Sequence, residues 1–246
     1  MSSSPISILS QTDFNGDPLD PDLLRRTFAQ LMDEHGYVLM VNVPDDFDQV
    51  KFCRSLGSFV PNYTGAVVGD VRPEPGMDDV YHAGNTRPLT PHTEGYDFTV
   101  VPPRYIALWC VSPASGPGGE TTLADTAPWV AALSDDERSF LLDTEYEWKT
   151  TEGVNRLGLD LHTKHPILEE HEKGMIVRFS CNNLLRADDD PVVAIQDRWR
   201  DNFYDHQIAI DYHRNDVLVW NNWRLLHARN AFTDRSRHLR RIQVAG

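Results

Sequence analysis

The sequence predicts an α+β protein built around a β-sandwich or barrel, and three observations carry that expectation. An αβ unit stands at the front of the chain, short apolar segments bounded by turn formers fill the remainder, and two amphipathic helical stretches interrupt them. The 246 residues suffice for a sizeable core, and 40% apolar with 24% charged residues is ordinary globular composition. No repeat, charge block or linker divides the chain, so residues 1–246 are expected to form one domain, with 1–12 a loosely ordered N-terminal segment.

Asp20-Pro21 opens the first helix as N-cap and first-turn proline. Leu24, Phe28, Leu31 and Met32 give it an apolar stripe, and Gly36 ends it. The apolar run Tyr37 to Val43 reads as a buried strand, followed by a second helical stretch from Asp45 to Leu56 that stops at Gly57. Residues 58–91 carry many Pro and Gly with little periodicity, the pattern of a long functional excursion. Four strands are expected at Tyr105–Val111, Met175–Ser180, Val217–Trp220 and Leu239–Val244. Between them, Ser134 and Glu137 form a capping box for one helix, and a second runs from Pro191 to His206 with Val192, Ile195, Trp199 and Phe203 on one face.

Charge and cysteine content narrow the function classes. Lys and Arg total 23 against 37 Asp and Glu, a formal net charge of −14. Such a surface repels phosphate backbones and anionic lipid heads, so neither nucleic acid nor membrane is an expected partner. The three cysteines, Cys53, Cys110 and Cys181, are far apart and form no CxxC pair, which suggests buried thiols instead of disulfides or a thiolate zinc site. The start Met1-Ser2-Ser3-Ser4-Pro5 lacks the basic and apolar regions of a signal peptide, so the chain is expected in the cytoplasm. The sequon Asn62-Tyr63-Thr64 is then a chance match.

The chemistry-bearing stretch is Pro91-His92-Thr93-Glu94-Gly95. At a strand end, residues two apart share a face, so His92 and Glu94 can approach one metal ion, and a second histidine would complete a two-His-one-carboxylate site. Alone the motif is weak. With 10 histidines and 37 acidic residues in 246, chance supplies about 1.5 His-x-Asp/Glu matches, and an isolated one reads as a solvated loop.

Four ordered segments change that reading. His92-Thr93-Glu94-Gly95, Pro102-Pro103-Arg104-Tyr105-Ile106-Ala107-Leu108 and Gly118-Gly119-Glu120-Thr121-Thr122 are followed by Val217-Leu218-Val219-Trp220 with Leu226-His227-Ala228-Arg229 and Arg240-Arg241-Ile242. Together they resemble the taurine dioxygenase (TauD/TfdA) family of Fe(II)- and 2-oxoglutarate-dependent oxygenases, and specifically its clavaminate synthase-like branch, in which the carboxylate ligand is Glu. The resemblance covers residue 20 to the C-terminus. It implies a double-stranded β-helix (jelly-roll) core with flanking and inserted helices. It also implies His92, Glu94 and His227 as iron ligands, and Fe(II), 2-oxoglutarate and O₂ as the reacting set. The remaining histidines, His82 among them, are expected at surface or satisfied polar positions, and His238 in a structural role.

The same resemblance assigns the distal carboxylate of 2-oxoglutarate to Arg241, 14 positions after His227, with help from Thr121. A dicarboxylate held deep in a pocket needs a bidentate cation, which arginine supplies. Strand alternation supports the choice: Leu239, Arg241 and Gln243 share one face, and Arg240, Ile242 and Val244 the other. The competing reading is a basic patch made by Arg235, Arg237, Arg240 and Arg241.

The activity implied is oxidation, most often hydroxylation, of an unactivated C–H bond with release of succinate and CO₂. Glu94 occupies the position that halogenating relatives leave empty, and Ala245 stands where taurine-type members carry a sulfonate-binding arginine. The Glu ligand points to a small polar, amino-acid-derived substrate. Asn85, Arg87, Asp97 and Arg229 are candidates to line its pocket, whereas Trp109, Trp220 and Trp223 are expected in the core. Two other classes fit the residues less well: a cupin-like metal-dependent hydrolase or isomerase, and a non-catalytic jelly-roll binding module. The first gives Arg241 and Thr121 no use, and the complete ligand set argues against the second.

Overall fold

The structure is a computed structural model that describes residues 8–9, 21–41 and 43–246. Two β-sheets lie face to face. The larger runs in the order Ile8–Leu9, Tyr37–Met40, Val217–Asn221, Tyr105–Ser112, His238–Val244 and Phe59–Val60, with Val68–Val71 also paired to His238–Val244. The smaller runs Ile208–Ile210, Thr121–Asp125, Leu225–Arg229 and Leu89–His92. Every pairing in the two is antiparallel except that of Ile8–Leu9 with Tyr37–Met40.

Alternation along the strands sorts residues between three apolar layers. Leu123 and Leu225 of the smaller sheet meet Ile106, Leu108, Leu218, Trp220 and Leu239 of the larger one in the space between sheets. The outer face of the larger sheet, with Val38, Ala107, Val219, Ile242 and Val244, packs on Leu24, Phe28 and Met32 of helix Pro21–His35 and on Cys53 of helix Gln49–Leu56. The outer face of the smaller sheet, with Ala124, Leu226 and Ala228, packs on Val192, Ile195, Trp199 and Phe203 of helix Val192–His206. This is the jelly-roll sandwich expected from the sequence, with helices covering both outer faces.

Several boundaries moved for local reasons. The first strand ends at Met40, and the second helix begins at Gln49, four residues later than expected, because Asp48 caps it by accepting from Lys51 N at 2.8 Å. The third expected strand runs Gly174–Val177, and Ser180 instead makes an isolated bridge to His92. The capping box is present: Ser134 Oγ accepts from Glu137 N at 3.2 Å, and Glu137 Oε2 accepts from Ser134 N at 3.0 Å. Within 58–91, only Phe59–Val60, Val68–Val71 and the start of Leu89–His92 are strands. The Asn62 sequon forms a tight turn in which Asn62 Oδ1 accepts from Thr64 N and Ala66 N. The expected Asp20 cap and all but two residues of segment 1–12 lie outside the described residues. No described helix is long and apolar enough to cross a membrane.

The last strand behaves as alternation requires. Leu239 and Gln243 are buried between the sheets with Arg241 beside them, while Arg240 is exposed and pairs with Asp70 at 3.5 Å. Removing the fully buried Phe203 side chain as Phe203→Ala should therefore cost about 3–5 kcal/mol in denaturant-melt stability. Arg240→Ala, on the exposed face, should change it by less than about 0.5 kcal/mol.

Candidate metal centre and its cavity

Pairing between the edge strand and its neighbour brings the first two donors together. Leu89–His92 runs antiparallel to Leu225–Arg229 with His92 opposite His227, and the imidazole centroids lie 4.1 Å apart. Glu94 follows two residues beyond His92 at a sharp turn where Gly95 has φ +72° and a Cβ would come 3.0 Å from Phe98 and Pro103. Buried Asn222 fixes that turn. Its Oδ1 accepts from Glu94 N at 2.7 Å, and its Nδ2 donates to the carbonyls of Glu94 and Pro103, both at 2.9 Å.

One ligand atom each from His92, Glu94 and His227 lies within 4.8 Å of the others. His92 Nδ1 sits 2.8 Å from the Thr90 carbonyl, which makes Nδ1 the protonated nitrogen and leaves Nε2 with a lone pair. His227 Nε2 stands 3.8 Å from Glu94 Oε2, its Nδ1 is buried without a partner, and its ring packs 4.9 Å from Trp220. Burial lowers the pKa of His92 and pulls that of His227 well down, with the His92 charge adding to the second. Two neutral imidazoles and one carboxylate are the donor set of an open-faced divalent iron site, and the residues fit that group.

Two side chains of the last strand reach the same carboxylate. Arg241 Nη1 is 2.9 Å from Glu94 Oε2, and Gln243 Nε2 donates to Glu94 Oε1 at 3.3 Å. Arg241 also lines a cavity of about 80 Å³ beside His92 and Glu94, walled by Tyr63, Tyr81, His82, Leu89, Tyr96, Thr151 and Val154. Thr121 is placed elsewhere: buried between the sheets, with its hydroxyl 2.7 Å from that of Tyr212, it is not part of this wall.

None of the four residues read as substrate candidates lines the cavity. Asn85 and Arg229 are consumed by the chain that does. Arg229 donates to the carbonyls of Ala83 at 2.7 Å and Arg87 at 2.6 Å and to Asn85 Oδ1 at 3.1 Å, while Asn85 Nδ2 donates to the Met77 carbonyl at 3.2 Å. Burial, reinforced by the charge of Arg237, lowers the Arg229 pKa to about 9. Arg87 is exposed, and its guanidinium donates to the Asp79 carbonyl at 3.3 Å. Asp97 is buried directly behind Tyr63. The tryptophans Trp109, Trp220 and Trp223 are buried, as expected, and His238 pairs with Asp70 at 2.7 Å.

The wall residues escaped the sequence reading, although Tyr63, Tyr81 and His82 fall in the excursion marked as functional. His82, expected at a surface or satisfied polar position, is satisfied through Nδ1, which accepts from Gly84 N at 2.9 Å, yet it also faces the cavity. Gly153 explains its placement, because a Cβ there would lie 2.4 Å from the His82 Cβ. Tyr96 carried an available signal, standing two residues beyond Glu94. Thr151 and Val154 carried none.

Comparison with known proteins accords with this architecture. The profile described as "Taurine catabolism dioxygenase TauD, TfdA family" matches residues 4–243. Gamma-butyrobetaine dioxygenase of Homo sapiens is 28% identical over 172 residues, 64% of this chain and 44% of that protein. A 3-((Z)-2-isocyanoethenyl)-1H-indole synthase of Fischerella ambigua (strain UTEX 1903) is 28% identical over 168 residues, 60% of each chain. The chain thus matches less than two thirds of the length of these relatives. Among solved structures, an asparagine oxygenase with Fe(II), 2S,3S-3-hydroxyasparagine and succinate superposes with TM-score 0.77 at 18% identity, covering 92% of this chain and 80% of that one. The non-heme iron oxygenase OrfP with Fe, succinate and (3S)-hydroxy-L-Arg gives TM-score 0.70 at 18% identity, again covering 92% and 80%. These structures share the fold, and the match over nearly the full sequence shows that the chain belongs to the TauD/TfdA dioxygenase family.

Proposed function

We propose that this protein is an Fe(II)- and 2-oxoglutarate-dependent dioxygenase of one domain that oxidises, most often by hydroxylation, a C–H bond of a small polar, amino-acid-derived metabolite. The observation that carries the reading is the convergence of His92, Glu94 and His227 within 4.8 Å of one another beside a cavity that also receives Arg241. Family membership supports it, as do structural neighbours described with hydroxylated asparagine and arginine.

Bound at this site, Fe(II) and 2-oxoglutarate would supply the oxidising power, with O₂ consumed as 2-oxoglutarate becomes succinate and CO₂. The chain's own residues do the rest. The Thr90 carbonyl holds His92 in the tautomer that presents Nε2, and Gln243 holds one oxygen of Glu94 so that the other is offered to the ion. Arg241 balances the Glu94 charge in this structure. With Glu94 engaged as a ligand, the Arg241 guanidinium would be available to hold the distal carboxylate of 2-oxoglutarate. Thr121 lies outside the cavity wall, and the supporting contact proposed for it would use the proton of its hydroxyl, whose oxygen accepts from Tyr212. The tyrosine wall keeps bulk water from the reacting carbon.

Anaerobic addition of Fe(II) and 2-oxoglutarate should produce a visible metal-to-ligand charge-transfer band; a folded protein without the band refutes the reading. Glu94→Ala should abolish succinate release. Arg241→Ala should raise the 2-oxoglutarate concentration needed for half-maximal turnover by tenfold or more. Gln243→Leu should weaken Fe(II) binding by about 10–100-fold, read as a shift in the metal titration of the same band. Substrate-stimulated succinate release across free amino acids and their derivatives would then identify the substrate.

A further inference from the structure

The cavity has a second charged feature that the iron chemistry does not use. Asp97 is completely buried (0% exposed), and its two oxygens lie 2.7 and 2.8 Å from the Tyr63 hydroxyl. Among the described residues no cation lies within ion-pair distance of it. The buried guanidinium of Arg178 is engaged by Glu169 at 3.2 Å and by the Gly95 carbonyl at 3.2 Å. Burial raises the Asp97 pKa to about 6 against the Tyr63 hydroxyl, its own backbone N–H and the more distant charge of Arg178, so its charge is only partly compensated.

Tyr63 transmits that charge into the cavity. A phenol has a single proton, and here it is given to Asp97, so toward the cavity the Tyr63 oxygen can only accept. The other two tyrosines of the wall are arranged differently. Tyr81 places its hydroxyl 3.0 Å from Thr90 Oγ1 and accepts from Thr90 N at 3.1 Å, and the Tyr96 hydroxyl bonds Ser180. Both hydroxyls are therefore occupied by the protein, leaving the rings to face the cavity with their electron-rich surfaces. The Tyr63 position is itself held, by the Asn62 turn on one side and by edge-on contact with Phe98 at 5.4 Å on the other.

From this geometry we infer that Tyr63, backed by Asp97, is the specificity-determining acceptor for a protonated nitrogen of the substrate. The inference rests on the oxygenase reading for the name "substrate", and it narrows the substrate class to cationic amines. The nitrogen would sit against Tyr63, while Arg241, which lines the same cavity, takes the anionic co-substrate. A purely anionic metabolite of the same size offers no donor to the Tyr63 oxygen, and a neutral donor gains the hydrogen bond without the attraction between opposite charges.

The test uses two probes of equal size and different charge, n-propylammonium and 1-propanol. Binding to the full chain is followed by ligand-observed NMR under argon, with Fe(II) and 2-oxoglutarate present and again without them. The wild type should bind n-propylammonium at least tenfold more tightly than 1-propanol. Tyr63→Phe keeps the ring but removes the acceptor, and should reduce that preference at least fivefold, as should Asp97→Asn. A merely structural role for the pair would weaken both probes alike and leave their ratio unchanged, which would overturn the inference. Equal binding of the two probes by the wild type, or binding of neither, overturns it as well. Should Asp97→Asn fail to fold, Tyr63→Phe decides the question. The wild-type charge-transfer band is scored separately, so loss of the band refutes the oxygenase reading, whereas loss of charge preference refutes only the role of Tyr63.

Discussion

The carboxylate of Glu94 is the point at which the two sheets are joined electrostatically. It is buried, so it must be compensated, and its partners arrive from both sides of the sandwich: Arg241 and Gln243 from the larger sheet, His227 from the smaller. Its own backbone is clamped by Asn222, which lies at the end of the larger sheet's Val217–Asn221 strand. One side chain therefore reports on the relative position of both sheets. Displacement of either sheet would separate Glu94 from at least one partner, leaving a buried charge exposed to a low-dielectric interior. This makes the jelly-roll core a precision mount for a three-residue site and not merely a container for it.

Irregular chain supplies the rest of the cavity, and hydrogen bonds supply its rigidity in place of strand pairing. The Asn85–Arg229 network fastens segment 77–87 to the end of a core strand. Arg156 makes a bidentate pair with Asp79 at 2.8 and 2.9 Å and also donates to the Gly76 carbonyl, tying helix Glu152–Arg156 to the same segment. Close approach at Gly153 lets that helix rest on His82. The Arg156–Asp79 pair is exposed whereas the Asn85–Arg229 network is buried, so the wall is anchored at its base and looser at its rim.

Legibility in the sequence followed periodicity. The inward direction of Arg241 and the outward direction of Arg240 were readable because a strand alternates strictly, and the layers around Leu123, Ile242 and Phe203 follow the same rule or its helical counterpart. Asn85 and Arg229, read from the sequence as candidates to line the substrate pocket, are not among the residues that line the cavity. Their donors go to backbone carbonyls of an irregular segment, and such an account of partners exists only once the chain is folded. Tyr63, Tyr81, Thr151 and Val154 come from segments about ninety residues apart at the extremes, with no period linking them. Gln243 was placed on the correct face by alternation, yet nothing in its type announced a hydrogen bond to Glu94.

The acidic balance of the chain takes on a different meaning in the fold. A net charge of −14 belongs to the surface, whereas the interior holds Arg178, Arg229 and Arg237 as buried guanidiniums with Arg241 close by. Arg229 and Arg237 both lie over the Phe232 ring, at 5.0 and 5.1 Å, and donate to carbonyls; among the described residues neither has a carboxylate within ion-pair distance. Guanidinium tolerates such burial because it stays protonated and spreads its charge. Burial lowers the His92 pKa, Glu94 opposes that shift, and the charges of Arg241 and Arg229 add to it more weakly. Asp97 behind Tyr63 brings a carboxylate close to the cavity that Arg241 lines. On the proposed reading, ligands are selected by the order of charges along them as well as by fit, with a carboxylate drawn to Arg241 and a protonated nitrogen to Tyr63.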